Sequence, residues 1–299
     1  MNRMKLAMPV FVAALAYGPS PGLAVPILGA DLASFAVLGA ETVTNVPTST
    51  IVGSVGVSPG TAITGFNSTP NAITSDPQVT GGVVDSNTAV AQQAQAQLTT
   101  ARNTLTSLGA GLTLGADLAG LTLNPGVYTV AAGTTNLSGT LTLDGLGDPN
   151  ALWVFQFPST LITSPGSVVN VINTGTGAGL FWNVGSSATL DTTTSFQGNI
   201  LALTSITLNT NATIGCGRAL ADVGAVTLDQ NTISIGCAGT GEENSNGLGG
   251  GGLDVVGGVI VDKTTGAVVA RIPEPGTLAL FGFGLVGLFA FRRRLLPIA

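Results

Sequence analysis

The sequence contains no histidine, which removes the commonest general base and metal ligand together and excludes nucleophile triads of the Ser-His-Asp and Cys-His kinds. Charge is scarce as well. Only 8% of the 299 residues are Asp, Glu, Lys or Arg, and the balance is acidic, 15 carboxylates against 9 bases. Between Ile27 and Ala238 the bases are Arg102 and Arg218 alone, too few to hold a phosphate backbone, so a nucleic-acid partner is excluded. Two cysteines, Cys216 and Cys237, cannot complete a tetrahedral metal site by themselves. No run of 18 apolar residues interrupts the central part of the chain, so it holds no membrane-spanning helix despite its low charge. Its polarity comes from Thr, Ser and Asn, and with Val, Ile and Leu these suit pleated strands better than disorder.

The two ends read as targeting segments and are set aside before the fold is considered. Residues 1–24 carry Arg3 and Lys5, then an apolar stretch from Ala7 to Tyr17, then Gly22-Leu23-Ala24. That order is a secretory signal with a mature N-terminus near Val25; a buried helix of the folded domain is the alternative. Residues 272–299 begin Ile272-Pro273-Glu274-Pro275-Gly276, continue through 15 mostly apolar residues from Thr277 to Phe291 and reach Arg292-Arg293-Arg294. A helix of that length spans about 22 Å, short of a full hydrocarbon core, and the arginines stay cytoplasmic by the positive-inside rule. On those residues alone the tail is a single-span anchor. The order Pro-Glu-Pro, short apolar helix, arginine cluster resembles the PEP-CTERM sorting signal of Gram-negative bacteria. The resemblance implies recognition by an exosortase, processing near Pro273, Glu274 and Pro275, transient holding in the inner membrane, and a destination at the cell surface or in the extracellular polymer.

Between the ends, the tripeptide Thr-Leu-Asp/Asn recurs with starts at Thr122, Thr142, Thr189, Thr207 and Thr227, which are 20, 47, 18 and 20 residues apart. The long gap leaves room for two irregular coils. In each unit, alternation turns Leu or Ile inward and Thr outward, and a turn residue follows. Such units bury their apolar edge only by stacking, which predicts a β-solenoid over residues 25–238. Cys216 and Cys237 follow Thr207 and Thr227 by nine and ten residues, matching places on adjacent coils. In an exported chain an even cysteine count favours a disulfide, and a bridge here would pin the last coil against fraying.

One segment departs from the strand pattern. Asn87 to Leu108 lacks Gly and Pro, and Ala94, Leu98, Ala101, Leu105 and Leu108 recur at helical spacing, predicting one amphipathic helix along a solenoid wall, with Asp85 or Ser86 at its start and Gly109 at its end. A helix that binds a partner is the alternative. Residues 239–271 open on Gly239-Thr240-Gly241-Glu242-Glu243-Asn244-Ser245-Asn246-Gly247 and four glycines follow Leu248, which reads as a flexible linker.

The remaining chemistry is thin. Asp144, Asp191, Asn209 and Asp229 follow the repeated Thr-Leu at places where Asp and Asn favour corners, although parallel solenoids with clustered acids can cleave polysaccharides. Weak calcium binding by stacked Asp stays open, but the glycine-aspartate nonapeptide repeats are absent. The run Thr174-Gly175-Thr176-Gly177-Ala178-Gly179 lacks the Lys-Ser/Thr of a phosphate loop. No enzyme and no cofactor are expected. Outward threonines in ranks about 4.8 Å apart are left as the main functional signal, either as an array that orders water or as the ordinary preference of exposed strands for Thr.

Segments from Leu28-Gly29-Ala30-Asp31-Leu32 through Phe181-Trp182-Asn183-Val184-Gly185, Gln197-Gly198-Asn199-Ile200 and Gly217-Arg218-Ala219-Leu220-Ala221 resemble the microbial ice-binding-like family. That resemblance implies a mostly β, discontinuous triangular β-solenoid with one long α-helix packed alongside, and an ice-facing surface carrying Thr-Ala/Gly-X-Thr/Asn motifs. Thr61-Ala62-Ile63-Thr64 matches the motif. Thr210-Asn211-Ala212-Thr213 puts Asn in the small position, and Thr192-Thr193-Thr194 replaces the small residue with Thr. The expected ice-binding residues are Thr61, Thr64, Thr194, Thr210, Thr213 and Thr232, with Thr194, Thr213 and Thr232 in one rank. An adhesive or structural role on extracellular polysaccharide is the rival reading.

Overall fold

The computed structural model describes residues 24–238, 242–257 and 259–271; the expected signal segment, up to residue 23, and the expected sorting tail from residue 272 lie outside them. The chain winds as a β-solenoid whose coils cross three faces in turn. Face A is a parallel stack of Leu112–Leu114, Gly126–Val130, Leu152–Phe157, Gly179–Val184, the second halves of Ser195–Ala202 and Thr213–Ala221, then Phe35–Gly39, Ser54–Val57 and Val84–Ser86. Face B stacks Leu161–Ile162, Ala188–Leu190, Ile206–Leu208, Val226–Asp229, Thr42–Val46 and Ala62–Thr64. Face C stacks Thr122–Leu123, Thr140–Asp144, Val168–Ile172, the first halves of the two long strands, then Thr232–Ser234, Thr50–Val52 and Val79–Thr80.

The period-two pattern does what the sequence predicts. Leu190, Ile206, Leu208, Val226 and Leu228 are fully buried inside the coil, and the Thr between each pair points out. Residues in line on successive coils stack their side chains, most clearly as Tyr128, Phe155 and Trp182, whose rings lie 5.4 and 4.3 Å apart; Phe196 closes the column from the adjoining face at 4.8 Å. Each such pair adds to plain area burial and discourages a register slip, which would expose the rings. Where the chain passes from face C to face A without a corner, a side chain at Gly217 would place its Cβ 1.9 Å from the Gly198 carbonyl. Only glycine lets the two coils close there.

The stack is discontinuous. Coils from the start of the chain sit on the last coil, with Val37 beside Ala219, Thr44 beside Thr227 and Thr50 beside Thr232. The helix then returns the chain along face A to the far end of the stack. The bridge between Cys216 and Cys237, with Cα atoms 4.6 Å apart, is present as the spacing predicts. Its place differs from the expected one: the coil it pins is covered by the N-terminal coils, with Thr232 beside Thr50, so the bridge stiffens the C-terminal side of the seam and protects no open end.

The helix spans Ala89–Ser107 and buries Ala91, Ala94, Leu98, Ala101 and Leu105 against face A. Its N-cap is Thr88 and not Asp85 or Ser86, and no side chain caps the first-turn amides; Asp85 instead holds Thr88, accepting its amide at 3.1 Å and its hydroxyl at 2.8 Å, while Gly109 takes a left-handed φ of 80° at the exit, as a helix stop requires. Polar contacts lock its register. Gln97 receives the Leu32 amide, Gln95 donates to the Ala221 and Asp222 carbonyls, and Arg102 pairs with Asp222 at 2.7 Å.

The glycine-rich segment beyond residue 241 does not behave as a free linker. Leu248, Leu253 and Ile260 are fully buried, and Leu253–Val256, Val259–Asp262 and Val268–Arg271 form an antiparallel sheet. Glycine here serves close approach: a Cβ on Gly177 or Gly252 would fall 1.8 or 1.9 Å from Asn150 Oδ1. Composition suggested flexibility because it hides three well-spaced apolar residues that find a wall to bind.

Candidate functional site

Face B carries the most regular surface of the protein. Its pairings run without a bulge from Leu161 to Ile63. The outward positions in line are Ile162, Thr189, Thr207, Thr227, Thr44 and Thr64. Five consecutive coils therefore present threonine at one register position. Two residues earlier on each strand, the same alternation turns Ser187, Ser205, Ala225, Thr42 and Ala62 outward. Both columns are uncharged and short-chained, so their methyl and hydroxyl groups end at nearly one height.

Carboxylates keep to the edge of this face. Asp191 accepts the Asn209 side chain at 2.9 Å and the Thr192 amide at 2.7 Å, and the Asn209 contact first, then the amide, holds its carboxyl below the usual range. Away from face B, Asp144 at the end of the face C strand Thr140–Asp144 does the same with Asn173 and the Leu146 amide and is lowered for the same reasons. Left-handed residues stack at the corner between faces B and C, with φ of 58° at Thr193, 59° at Asn211 and 55° at Gln230. The acids after Thr-Leu thus do corner work. Among the described residues no three His, Cys, Asp or Glu side chains gather at a point that could hold a metal. A cleft of about 410 Å³ under the last turn of the helix is lined by Arg102, Thr106, Gln156 and Asn183 among others and contains no carboxylate.

The expected ice-binding residues separate in space. Thr64 stands in the face B column, and Thr61 precedes it at the corner, where its carbonyl accepts the Ser86 hydroxyl. Thr213 and Thr232 pair directly on face C, in line with Thr50 and with Ser195. Thr194 is not in that rank. It lies one residue before Ser195, is fully buried, and its hydroxyl meets that of Thr163 at 2.9 Å, because a shift of one position along a strand turns the side chain to the other side. Thr210 sits on the corner and donates to the Asp229 carboxylate.

Sequence reasoning did not single out Thr44, Thr189, Thr207 and Thr227 as a surface, although three of them begin the repeated tripeptide. The repeats themselves divide: Thr122 and Thr142 pair on face C, whereas Thr189, Thr207 and Thr227 pair on face B. The 47-residue gap is where the motif changes face. Thr44 has no following Leu-Asp, and only the seam brings it beside Thr227. The usable signal was Thr61-Ala62-Ile63-Thr64, since small-X-Thr in the same register reads Ser187-Ala188-Thr189, Ser205-Ile206-Thr207 and Ala225-Val226-Thr227.

A family model described as ice-binding-like matches residues 37–234, all three faces included. The chain belongs to the ice-binding-like family. An ice-binding protein of Nostoc sp. (strain HG1) is 46% identical over 264 residues, covering 87% of this chain and 85% of the relative. Among solved structures, an ice-binding protein from an Antarctic biological consortium shares 36% identity with a TM-score of 0.59 over 78% of this chain and 96% of its own. One from the Antarctic ascomycete Antarctomyces psychrotrophicus shares 36% identity with a TM-score of 0.62 over 71% and 98%. The solenoid of this family is the fold described above. A second model, the PEP-CTERM protein-sorting motif, matches residues 271–294 and directs the chain to the cell surface or beyond it.

Proposed function

We propose that this chain adsorbs to ice through face B, with Thr44, Thr64, Thr189, Thr207 and Thr227 as the central column and the Ser187-to-Ala62 column beside it. The observation that carries this reading is the unbroken register of five threonines over a bulge-free sheet with no charge in either outward column. Such an array holds water at regular sites without the strong hydration shells that ions impose. Thr213 and Thr232 on face C are the secondary candidates; that face is less even, since the pairing of the two long strands is bulged between Phe196 and Gln197 and it displays the longer Asn170 and Gln197. Thr194 and Thr210 act in the fold beneath and beside the surface. The protein works as a binding surface and not as an enzyme.

Purified full-length protein observed in a nanolitre osmometer should shape ice crystals. Thr207→Tyr, at the middle of face B, should abolish shaping, and Thr213→Tyr should leave most of it. The reverse ranking would transfer the activity to face C, and unfaceted growth with the parent protein would refute ice adsorption and favour the adhesive reading.

A further inference from the structure

Both ends of the described chain are fastened on one side of the solenoid. Val25 exchanges backbone hydrogen bonds with Val255 at 3.2 and 2.8 Å, and Val255 belongs to the C-terminal sheet. That sheet is seated on face A: the Gly250 amide donates to Ala178 and the Leu180 amide to Leu248, and Leu253 and Ile260 join the apolar cluster of Leu152, Val154 and Phe181 beside helix residue Leu98. Arg218 fixes the approach. It is wholly buried, and its guanidinium donates to Asn199 Oδ1 at 2.7 Å, the Ala33 carbonyl at 2.6 Å, the Asn246 carbonyl at 2.8 Å and Asn246 Oδ1 at 3.0 Å. Asn150 and Asp262 tie the far side of the sheet to the coil. The last described strand ends at Arg271, and Ile272 alone separates it from Pro273 of the sorting motif.

We infer that residues 242–271 are a mount that fixes how the sorted protein is displayed: attached through its C-terminal end, the domain turns its helix-covered face to the cell envelope and faces B and C to the medium. A flexible linker would let the solenoid tumble. A strand bonded into a sheet on face A, with no spacer before the sorting motif, holds it. The inference rests on the sorting motif and on this packing and is independent of ice adsorption.

The test uses the full chain, sorted by cells that carry the matching exosortase, and a polymer-linked maleimide too large to enter the gap between the domain and the envelope. Thr227→Cys reports face B and Ala96→Cys the exposed side of the helix, with Gln93→Cys as a second helix position. On intact cells Thr227→Cys should label several-fold faster than either helix site. A twenty-residue Gly/Ser insert between Arg271 and Ile272, whose coil spans roughly 25 Å, should bring the helix sites up to the face B rate. Equal labelling without the insert, helix sites that stay slow with it, or a chain recovered only from the medium would each overturn the mount.

Discussion

Face A and face B are made from the same coils by the same alternation of inward and outward residues, yet one is sealed and the other open. On face A the outward positions include Phe35, Leu38, Leu152, Val154, Phe181, Leu201 and Leu220, all buried beneath the helix and the C-terminal sheet. On face B the same kind of position holds Thr, Ser or Ala in five consecutive coils, with Ile162 at one end. Stability and recognition are therefore divided between two walls of one coil: face A is packed on both sides, whereas face B is packed only on its inner side. Mutations should separate the two properties cleanly.

The largest effect is expected on the sealed wall. Phe181→Ala removes a fully buried ring from between face A and its cover and should cost about 3–5 kcal/mol, read by chemical denaturation. Ice shaping per folded molecule should stay at the parent level, because face B does not move. Loss of shaping in fully folded Phe181→Ala would break the division between the walls.

Next comes the seam. Replacing Cys216 and Cys237 together with Ser opens a 21-residue separation and should cost about 3 kcal/mol on the chain-entropy estimate. Since the bridge holds the coil on which the N-terminal coils sit and does not cap an end, hydrogen exchange should rise first at Thr50–Val52 and Thr232–Ser234, where the N-terminal coils meet the C-terminal ones. Exchange that rises first at Leu112–Leu114 would show instead that the far end is the weak point.

What was legible in the sequence follows the same division. The inward ladder, the helix with its stripe and closing glycine, and the disulfide could be read because each rests on local periodicity or a short spacing. The stacking order could not. That Thr44 sits beside Thr227, and Phe35–Gly39 beside Thr213–Ala221, depends on a return path along the helix that no local pattern records. The outward surface was read only in part, because threonine appears on two faces and a one-residue error is enough to bury Thr194. The segment after residue 241 was misjudged since its glycines, which permit close packing around Asn150, have the same composition as a spacer.

The smallest expected effect lies on the corners, of which the one at Asp191 borders face B. Asp191 and Asp144 are held below their usual range by Asn side chains first and backbone amides second, and Asp117 is lowered chiefly by the Ser138 hydroxyl. In the unfolded chain such groups titrate near 3.9. A carboxyl whose folded pKa is lower than its unfolded one stabilises the fold above the unfolded value and loses that contribution as pH falls through the folded one, since the unfolded chain takes up protons first. The contribution of these three acids should therefore be level from neutrality to about pH 4 and fall below it. Asp117 is exposed and Asp144 and Asp191 are only half-buried, so each contributes little. Asp191→Asn should match the parent at pH 7 in both melting and ice shaping and should shallow the acid decline. If the variant instead loses shaping at neutral pH with its stability intact, the edge of face B takes part in recognition, and the boundary drawn here between surface and corner moves outward by one column.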